Sequence, residues 1–319
     1  HLSIRRQRQM CIRDRDMTAV LTKAFAFVAI IAMGYILKRV GFFHAKDFYL
    51  ISNIVIKITL PAAIVSNFSK ITMDYSLLAM CVIGLLCNFV TIAVGYGINI
   101  RKPKETRAFA MLNMSGYNIG NFTMPFVQSF LSPVGFAATS LFDAGNSIMC
   151  TGMTFTLAGM VVGEDEKPSL PGMTKKLFSS IPFDAYIVMT ILSILKLQLP
   201  AVMISFADTA GGANAFLALL MLGIGFEIHM DREKIAQIVQ ILVMRYGIAV
   251  LMAVGFYFFA PFGLEVRQTL AIVSLGPVAS IAPAFTGALN GDVEMASAVN
   301  SLSIIISIAA ITAALIILL

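Results

Sequence analysis

The feature that most limits the folds available to this chain is a series of ten apolar segments. Each is near the ~20 residues that cross a bilayer as a helix. Only 13% of the residues are charged and 58% are hydrophobic, whereas soluble domains carry about 25% charged residues. The sequence therefore predicts an all-α polytopic membrane protein in contact with the lipid bilayer. The segments cover roughly residues 18–37, 48–68, 76–99, 108–129, 134–162, 183–199, 203–227, 235–260, 266–289 and 293–319.

The basic residues predict how the segments are oriented. Twelve Lys and Arg residues lie in loops that follow odd-numbered segments, and three lie in loops that follow even-numbered segments. Because loops rich in Lys and Arg stay on the cytoplasmic side, the odd-numbered loops are predicted to be cytoplasmic. Both termini are then predicted to lie outside the cytoplasmic membrane. The net charge of +6 therefore reports topology, and no nucleic-acid partner is expected.

A polar, turn-rich stretch divides the chain into two sets of five segments. It is predicted to be a cytoplasmic loop over 163–182, with one five-helix repeat at 17–162 and a second at 183–319. Five segments per set make the second set enter the membrane from the opposite side, so the two sets would form an inverted repeat. Residues 1–16 hold five Arg before Met17, look like translated sequencing adapter, and are predicted to be a non-native extension.

The fourth and ninth segments are interrupted by helix-breaking residues. Gly120 and Pro125 fall in the fourth, and Gly276, Pro277 and Pro283 fall in the ninth. Pro lacks an N–H and clashes with the preceding turn, and unpaired backbone groups at membrane depth need protein or a water-filled cavity beside them. Pro125 and Pro277 are 152 positions apart, and broken segments at matching places in two halves indicate a transporter's binding site. We predict that the two breaks cross near the membrane midplane.

The motifs around these breaks resemble those of the auxin efflux carrier family, the bacterial relatives of plant PIN carriers, which include malate permeases. The resemblance extends over about residues 17–319. It implies ten helices in an inverted five-plus-five repeat, crossed unwound helices at segments 4 and 9, organic-anion substrates and an elevator-like movement. Segment 7 departs from the family pattern because Ala215-Phe216 stands where a Pro is common, and Pro283 is additional. The motifs are TLPAAIVSNF (59–68), GYNIGNFTMPFV (116–127), LFDAGNSI (141–148), GPVASIAP (276–283) and NGDVEMASAVNSLSI (290–304).

Five amides near the breaks are candidates for substrate binding. Asn118 and Asn121 are one helical turn apart and share a face, and Asn113 flanks the same break. Asn146 and Asn300 are 154 positions apart and occupy matching places in segments 5 and 10. The alternative is that these amides pair with freed backbone groups or join helices, at about 0.6 kcal/mol per bond.

Hydroxyl groups and helix ends could complete an anion site. Ser280, Ser301 and Thr123 could donate to a carboxylate, although hydroxyls in membrane helices more often bond to their own backbone. The N-termini of the half-helices at 120–125 and 276–283 would direct partial positive charge toward the same group.

Charged residues inside the membrane normally have a partner or a function, because each costs roughly 2.5–3.5 kcal/mol at a helix centre on insertion scales. Arg245 lies deep in segment 8, Lys57 in segment 2, and Asp143 one turn before Asn146. Asp143 is predicted to form a structural pair or charge relay with Lys57 or Arg245. The remaining cation would suit an anionic substrate, and Arg245 is a further candidate for binding it.

These features predict a secondary transporter that moves a small organic anion by alternating access. The nearest alternative is a sodium-coupled symporter of the bile-acid type, but the crossings hold Asn and Ser without Glu. We therefore favour a proton or no coupling ion over sodium, and expect no other cofactor. A membrane-embedded enzyme is less favoured, because the three His lie in the tail and loops and no ATP-binding motif or metal site stands out. A homodimer is possible.

Overall fold

The computed structural model describes residues 2–44, 46–72, 74–163, 170–226 and 234–318. It is 83% helical, without a strand in these ranges, as expected where backbone groups in lipid must pair within their own segment. The helices are α1 (Leu2–Arg39), α2 (Asp47–Ile54), α3 (Leu60–Phe68), α4 (Ala79–Ile98), α5 (Lys104–Met114), α6 (Met124–Phe130), α7 (Pro133–Ile148), α8 (Thr154–Val162), α9 (Leu170–Leu177), α10 (Ile181–Ile194), α11 (Ala201–Gly212), α12 (Asn214–Gly225), α13 (Ile235–Phe259), α14 (Leu264–Ser274), α15 (Ala282–Ala288) and α16 (Val293–Leu318).

Seven helical spans in the described residues are long and apolar enough to cross a membrane, or eight if a bent pair counts as one. The bent pair is Pro171–Leu177 with Ile181–Ile194, at an angle of 78°. The all-α membrane fold is therefore confirmed. Segments 4 and 9 are absent from this count because each is interrupted: α5 and α14 have 11 residues each, and α6 and α15 have 7 each.

Wide π-helical turns adjoin two of the prolines in the first half of the chain. Val55–Thr59 joins α2 to α3 and lies before Pro61, and Ile119–Thr123 leads into α6 and Pro125. In both turns the backbone bond spans five residues, which shifts the register just before a residue that cannot donate a backbone bond. The chain therefore continues as an α-helix after each π-helical turn.

The helices named above, except α9, form two bundles, and each bundle takes helices from both halves of the chain. Bundle one contains α1, α2, α3, α10, α11 and α12. At Gly34 and Gly223, α1 and α12 approach so closely that a methyl group on either glycine would overlap the other helix's backbone. The two predicted repeats therefore interleave in space, because an early helix packs directly on a late one.

Bundle two contains α4, α5, α6, α7, α8, α13, α14, α15 and α16, including the two interrupted segments. Its closest backbone contact is between α4 and α7, where Gly145 lies against the carbonyl of Cys81. The two bundles meet through side chains instead: Phe27 packs on Phe126 with ring centroids 4.8 Å apart. Backbone-to-backbone packing therefore lies within each bundle, and side chains fill the boundary between them.

The stretch predicted as a loop over 163–182 is partly helical. Residues 164–169 lie outside the described residues, but α9 occupies Leu170–Leu177 and α10 begins at Ile181. The predicted loop thus contains a short helix in its described part, which its Pro- and Lys-rich composition did not indicate. Residues 2–16 continue α1 toward its N-terminus, and their side chains are outside the description.

We expect Gly145→Ala to destabilise the protein by about 1–3 kcal/mol, the usual effect of overpacking. A Cβ at this position would overlap the Cys81 carbonyl and lie 2.9 Å from the Leu85 nitrogen, so α4 and α7 would have to separate. Gly247→Ala is the matched control, because a Cβ there meets nothing within 4 Å. Thermal unfolding in detergent measures both variants. Equal midpoints for the two would contradict the close packing of α4 on α7.

Candidate binding site at the helix crossing

The two interrupted segments meet at their breaks. In the first, α5 ends at Met114 and the chain is unwound until the π-helical turn at Ile119, with Gly116 at φ +75°. In the second, α14 ends at Ser274 and α15 begins at Ala282. Tyr117 and Val278 form an isolated antiparallel bridge, and the Asn118 N–H donates to the Pro277 carbonyl at 3.0 Å. The unwound backbones thus satisfy part of each other's hydrogen-bonding capacity.

Three of the predicted helix-breaking residues lie on the C-terminal side of the breaks. Gly120 sits in the π-helical turn, and Pro125 and Pro283 are each the second residue of their helices, α6 and α15. The first turn of a helix needs no N–H from Pro, so proline begins these half-helices and does not break them. Pro125 therefore matches Pro283, and its predicted match with Pro277 is corrected. Gly276 and Pro277 lie within the second break.

Arg245 of α13 joins the two breaks. Its side chain is only 2% exposed, and its guanidinium donates to four backbone carbonyls. One of them belongs to Met114, the last residue of α5, where the negative end of the helix dipole lies, and the other three belong to the unwound backbone that follows α5 and α14. The donors predicted for a substrate are thus directed at the protein's own backbone. The acceptors are Met114, Gly116 at 2.9 Å, Gly276 at 3.1 Å and Pro277 at 3.1 Å.

Asn146 of α7 holds the first break and is 2% exposed. Its Oδ1 accepts from the Tyr117 N–H at 3.0 Å, and its Nδ2 donates to the Tyr117 carbonyl at 2.8 Å. Asn88 of α4 stabilises the same part of the break, because it donates to Asn146 Oδ1 at 3.2 Å and accepts from the Gly116 N–H at 2.7 Å. The Asn146 amide thus bonds to both the N–H and the carbonyl of the unwound Tyr117, as a neighbouring β-strand would.

Asn300 of α16 holds the second break in the corresponding way. Its Nδ2 donates to the carbonyls of Val278 at 3.2 Å and Ala279 at 3.1 Å, and Ser303 accepts from the Val278 N–H at 3.1 Å. The two residues of the antiparallel bridge are therefore each held by an amide from a later helix. Asn300 differs from Asn146 in being only half-buried.

A cavity of about 570 Å³ lies beside the second break, between the two bundles. Among its lining residues are three that were predicted to bind substrate, Ser280, Asn300 and Ser301, and one cation, Lys46, which lies just before α2. Asn118 reaches its edge by donating to Ser280 at 2.8 Å. The remaining lining residues are Phe48, Tyr49, Met221, Leu222, Ile224, Gly225, Pro283, Ser297 and Ile304.

Three other predicted polar residues do not line this cavity. Asn113 is buried and donates to the Phe109 carbonyl at 2.9 Å and to Thr286 at 3.1 Å. Thr123 is also buried and donates to the Asn118 carbonyl. Asn121 is half-buried, and its Oδ1 accepts no hydrogen bond from the part of the chain that the structure describes. The hydrogen bonds of Asn113 and Thr123 are explained by helix packing. The contacts of Asn121 assign it neither a packing role nor a binding role.

Asp143 does not pair with either predicted cation. Its carboxylate accepts from Asn146 Nδ2 at 2.9 Å and from the Tyr186 hydroxyl at 2.9 Å. Lys57 is exposed on the π-helical turn between α2 and α3, and Arg245 is occupied by the helix ends. The predicted pair is therefore corrected: within the described residues, Asp143 has two polar neighbours and no ion pair.

Sequence reasoning missed three residues that shape this region, namely Asn88, Tyr186 and Lys46. An Asn within the otherwise apolar α4 was a usable signal, since a buried amide needs partners. Nothing local marked Tyr186, whose partner lies 43 positions away. Lys46 was counted only as a topology marker. Within the described residues, no group of three or more His, Cys, Asp or Glu is placed to hold a metal ion.

Comparison with known proteins bears on what this arrangement does. The family model described as membrane transport protein matches residues 19–317, which is most of the chain and confirms the predicted family. No curated protein matches the chain.

Proposed function

The chain belongs to the membrane transport protein family, and from this premise we propose that it is a secondary transporter of a small organic anion such as a carboxylate. The observation that carries the proposal is a cavity with several polar side chains on its wall, beside the second of two crossed helix breaks. Helices interrupted at membrane depth are the common device for building a transport site. Alternating access would carry the anion past the lipid with no covalent chemistry.

The composition of the cavity wall supports an anionic substrate. Lys46 is the one charged side chain on the described wall, and Ser280, Ser301 and Asn300 bring hydroxyl and amide groups. Hydroxyl and N–H donors bind carboxylates through charge-assisted bonds, and among the described lining residues no carboxylate opposes them. The cavity volume of about 570 Å³ lies in the range of small-molecule binding sites.

The helix pattern supports ten spans in an inverted five-plus-five repeat. Counting each interrupted segment as one span and adding the bent pair gives one span for each of the ten apolar segments. The positive-inside rule would then place Lys46 in the cytoplasm, so that this conformation would be open to the cytoplasmic side. Both termini would lie outside the cytoplasmic membrane.

The packing of the two bundles supports movement of one against the other. Close backbone contacts such as Gly34 with Gly223 occur within a bundle, and they resist sliding because a shift would bring backbones into overlap. The boundary contacts are made by side chains, which can repack. The cavity lies on this boundary, where relative motion would expose it first to one side and then to the other.

The test is a thermal-shift screen of the purified protein with malate, glutamate and phenylacetate, followed by uptake into proteoliposomes with and without a sodium gradient. We expect one of these anions to raise the unfolding midpoint and to be taken up without sodium. No stabilisation by any carboxylate would overturn the anion proposal, and strict sodium dependence would favour the bile-acid type of symporter.

Two cavity variants sharpen this test. Ser301→Ala should weaken binding of the stabilising anion about tenfold or more, because a hydrogen bond to a charged group contributes about 1.5–3 kcal/mol. Lys46→Gln should weaken it only about threefold, since exposed ion pairs contribute under about 1 kcal/mol. Lys104→Gln is the control, as this exposed residue at the start of α5 is outside the cavity. Equal affinities in all four proteins would place the substrate elsewhere.

A further inference from the structure

The buried acid Asp143 has no role in the anion site described above. It lies on α7 with 9% of its surface exposed, and among the described residues no cation pairs with it. Oδ1 accepts from Asn146 and Oδ2 accepts from Tyr186, each at 2.9 Å. An unpaired carboxylate in a membrane interior is costly and is usually functional.

The Tyr186 contact joins the two bundles. Asp143 belongs to α7 in bundle two, and Tyr186 belongs to α10 in bundle one, where it is 1% exposed. This hydrogen bond therefore crosses the boundary along which the proposed transport motion would occur. Any displacement of α7 relative to α10 must lengthen or break it.

Hydrogen bonds, together with the peptide bond between Tyr117 and Asn118, connect the same carboxylate to the anion cavity. Asn146 bonds to Asp143 and also holds the N–H and carbonyl of Tyr117. The next residue, Asn118, donates through its side chain to Ser280 on the cavity wall. A change at Asp143 can thus reach the substrate through three adjacent links, without passing through solvent.

The other titratable groups near Asp143 leave its charge uncompensated. Tyr186 on α10 and Cys150 in the π-helical turn after α7 interact with it electrostatically, and neither is a cation. On α4, the backbone of Cys81 lies against Gly145, and α3 contributes the apolar Leu60 beside Gly120. Arg245 on α13 directs its donors at the crossing.

We propose that Asp143 is the proton-binding site that couples transport to the proton gradient, an inference that rests on the proposed function. A proton from one aqueous side would bind Oδ2 and form an O–H bond. Tyr186 would then lose its ionised acceptor, and a charge-assisted bond would be replaced by a weaker neutral one. The loosened bundles would move with Asp143 uncharged, and the O–H bond would break by releasing the proton on the other side.

Infrared difference spectroscopy of the substrate-free protein tests the proton site without relying on transport. We expect a carboxylic C=O stretching band that appears on acidification of the wild type. The other Asp and Glu residues, 17 with Asp143 included, contribute to this band in every variant, so the signal of Asp143 is the component that Asp143→Asn loses and that Asp74→Asn, which alters an exposed carboxylate, retains. Acidification spectra in which Asp143→Asn loses no such component would overturn the proposal.

Proteoliposomes test the coupling, with malate as the probe and the membrane potential clamped at zero. A gradient of about one pH unit should support about tenfold accumulation of malate by the wild type if one proton accompanies each anion. Asp143→Asn should still exchange internal for external malate but should not accumulate it. Tyr186→Phe, which keeps the acid and removes the link, should bind the proton but accumulate less malate than the wild type.

Each outcome is informative in this design. Accumulation that ignores the pH gradient and a protonophore in the wild type would overturn coupling, as would normal accumulation by Asp143→Asn. A titrating band without any malate movement would support the proton site and count against malate as the substrate. The proton site and the proposed transport function can therefore fail separately.

Discussion

Replacing Arg245 by Gln should have the largest effect of any single substitution in this protein, with loss of transport and severe loss of stability. Its guanidinium donates to four carbonyls at the two breaks, and because the Pro277 carbonyl also accepts from the Asn118 N–H, three of them depend on Arg245. A buried acceptor left without a partner costs about 1–3 kcal/mol, and Gln cannot reach both breaks with its single donor group. We therefore expect a destabilisation of more than about 3 kcal/mol, the lower end of the effect summed over three carbonyls.

The Arg245→Lys variant tests whether the positive charge alone is enough or whether the guanidinium geometry is required. Lysine retains the cation but lacks the planar, five-donor fork, so the variant should be intermediate in stability and low in transport. Arg101→Gln is the control, because Arg101 is exposed in the loop after α4. Thermal unfolding in detergent and proteoliposome uptake measure each variant. A stable, active Arg245→Gln protein would show that the crossing does not depend on this residue.

Asn146→Ala should have the next largest effect, and the comparison with Asn300→Ala should reveal how the two halves differ. Loss of Asn146 leaves both the N–H and the carbonyl of Tyr117 unpaired in a fully buried setting. At about 1–3 kcal/mol per group, we expect a destabilisation of about 2–6 kcal/mol. Transport should be lost because the first break can no longer keep its unwound shape.

Asn300→Ala should instead act mainly on substrate binding. Asn300 lies on the cavity wall, so water can replace its amide at the carbonyls of Val278 and Ala279. We expect a stability loss of under about 2 kcal/mol together with weaker binding of the anion that stabilises the wild type. Thermal-shift titration of both variants provides the measurement. The reverse ranking, with Asn300→Ala less stable, would refute the assignment of structural and binding roles.

The sequence alone was sufficient for the features that depend on local chemistry. Apolar segments of bilayer length identify membrane helices, because each residue contributes its own transfer free energy. Glycine and proline marked the two interrupted segments, although Pro125 and Pro283 begin half-helices. The matching places of Asn146 and Asn300 identified the amides that hold the breaks. Three of the polar residues selected in this way, Ser280, Asn300 and Ser301, do line one cavity.

Only the tertiary structure decided which groups meet, because the partners lie far apart along the chain. Arg245 bonds to Met114 across 131 positions, and Asp143 bonds to Tyr186 across 43. From composition alone, a buried Arg next to a predicted anion site is a substrate ligand, and a buried Asp is the partner of that Arg. In the folded protein, the guanidinium of Arg245 donates to backbone carbonyls at the two breaks. Asp143 has no cationic partner among the described residues. The hydrophobic pattern determines locally where helices form. Which donor bonds to which acceptor is determined only when residues that are distant along the chain are brought together.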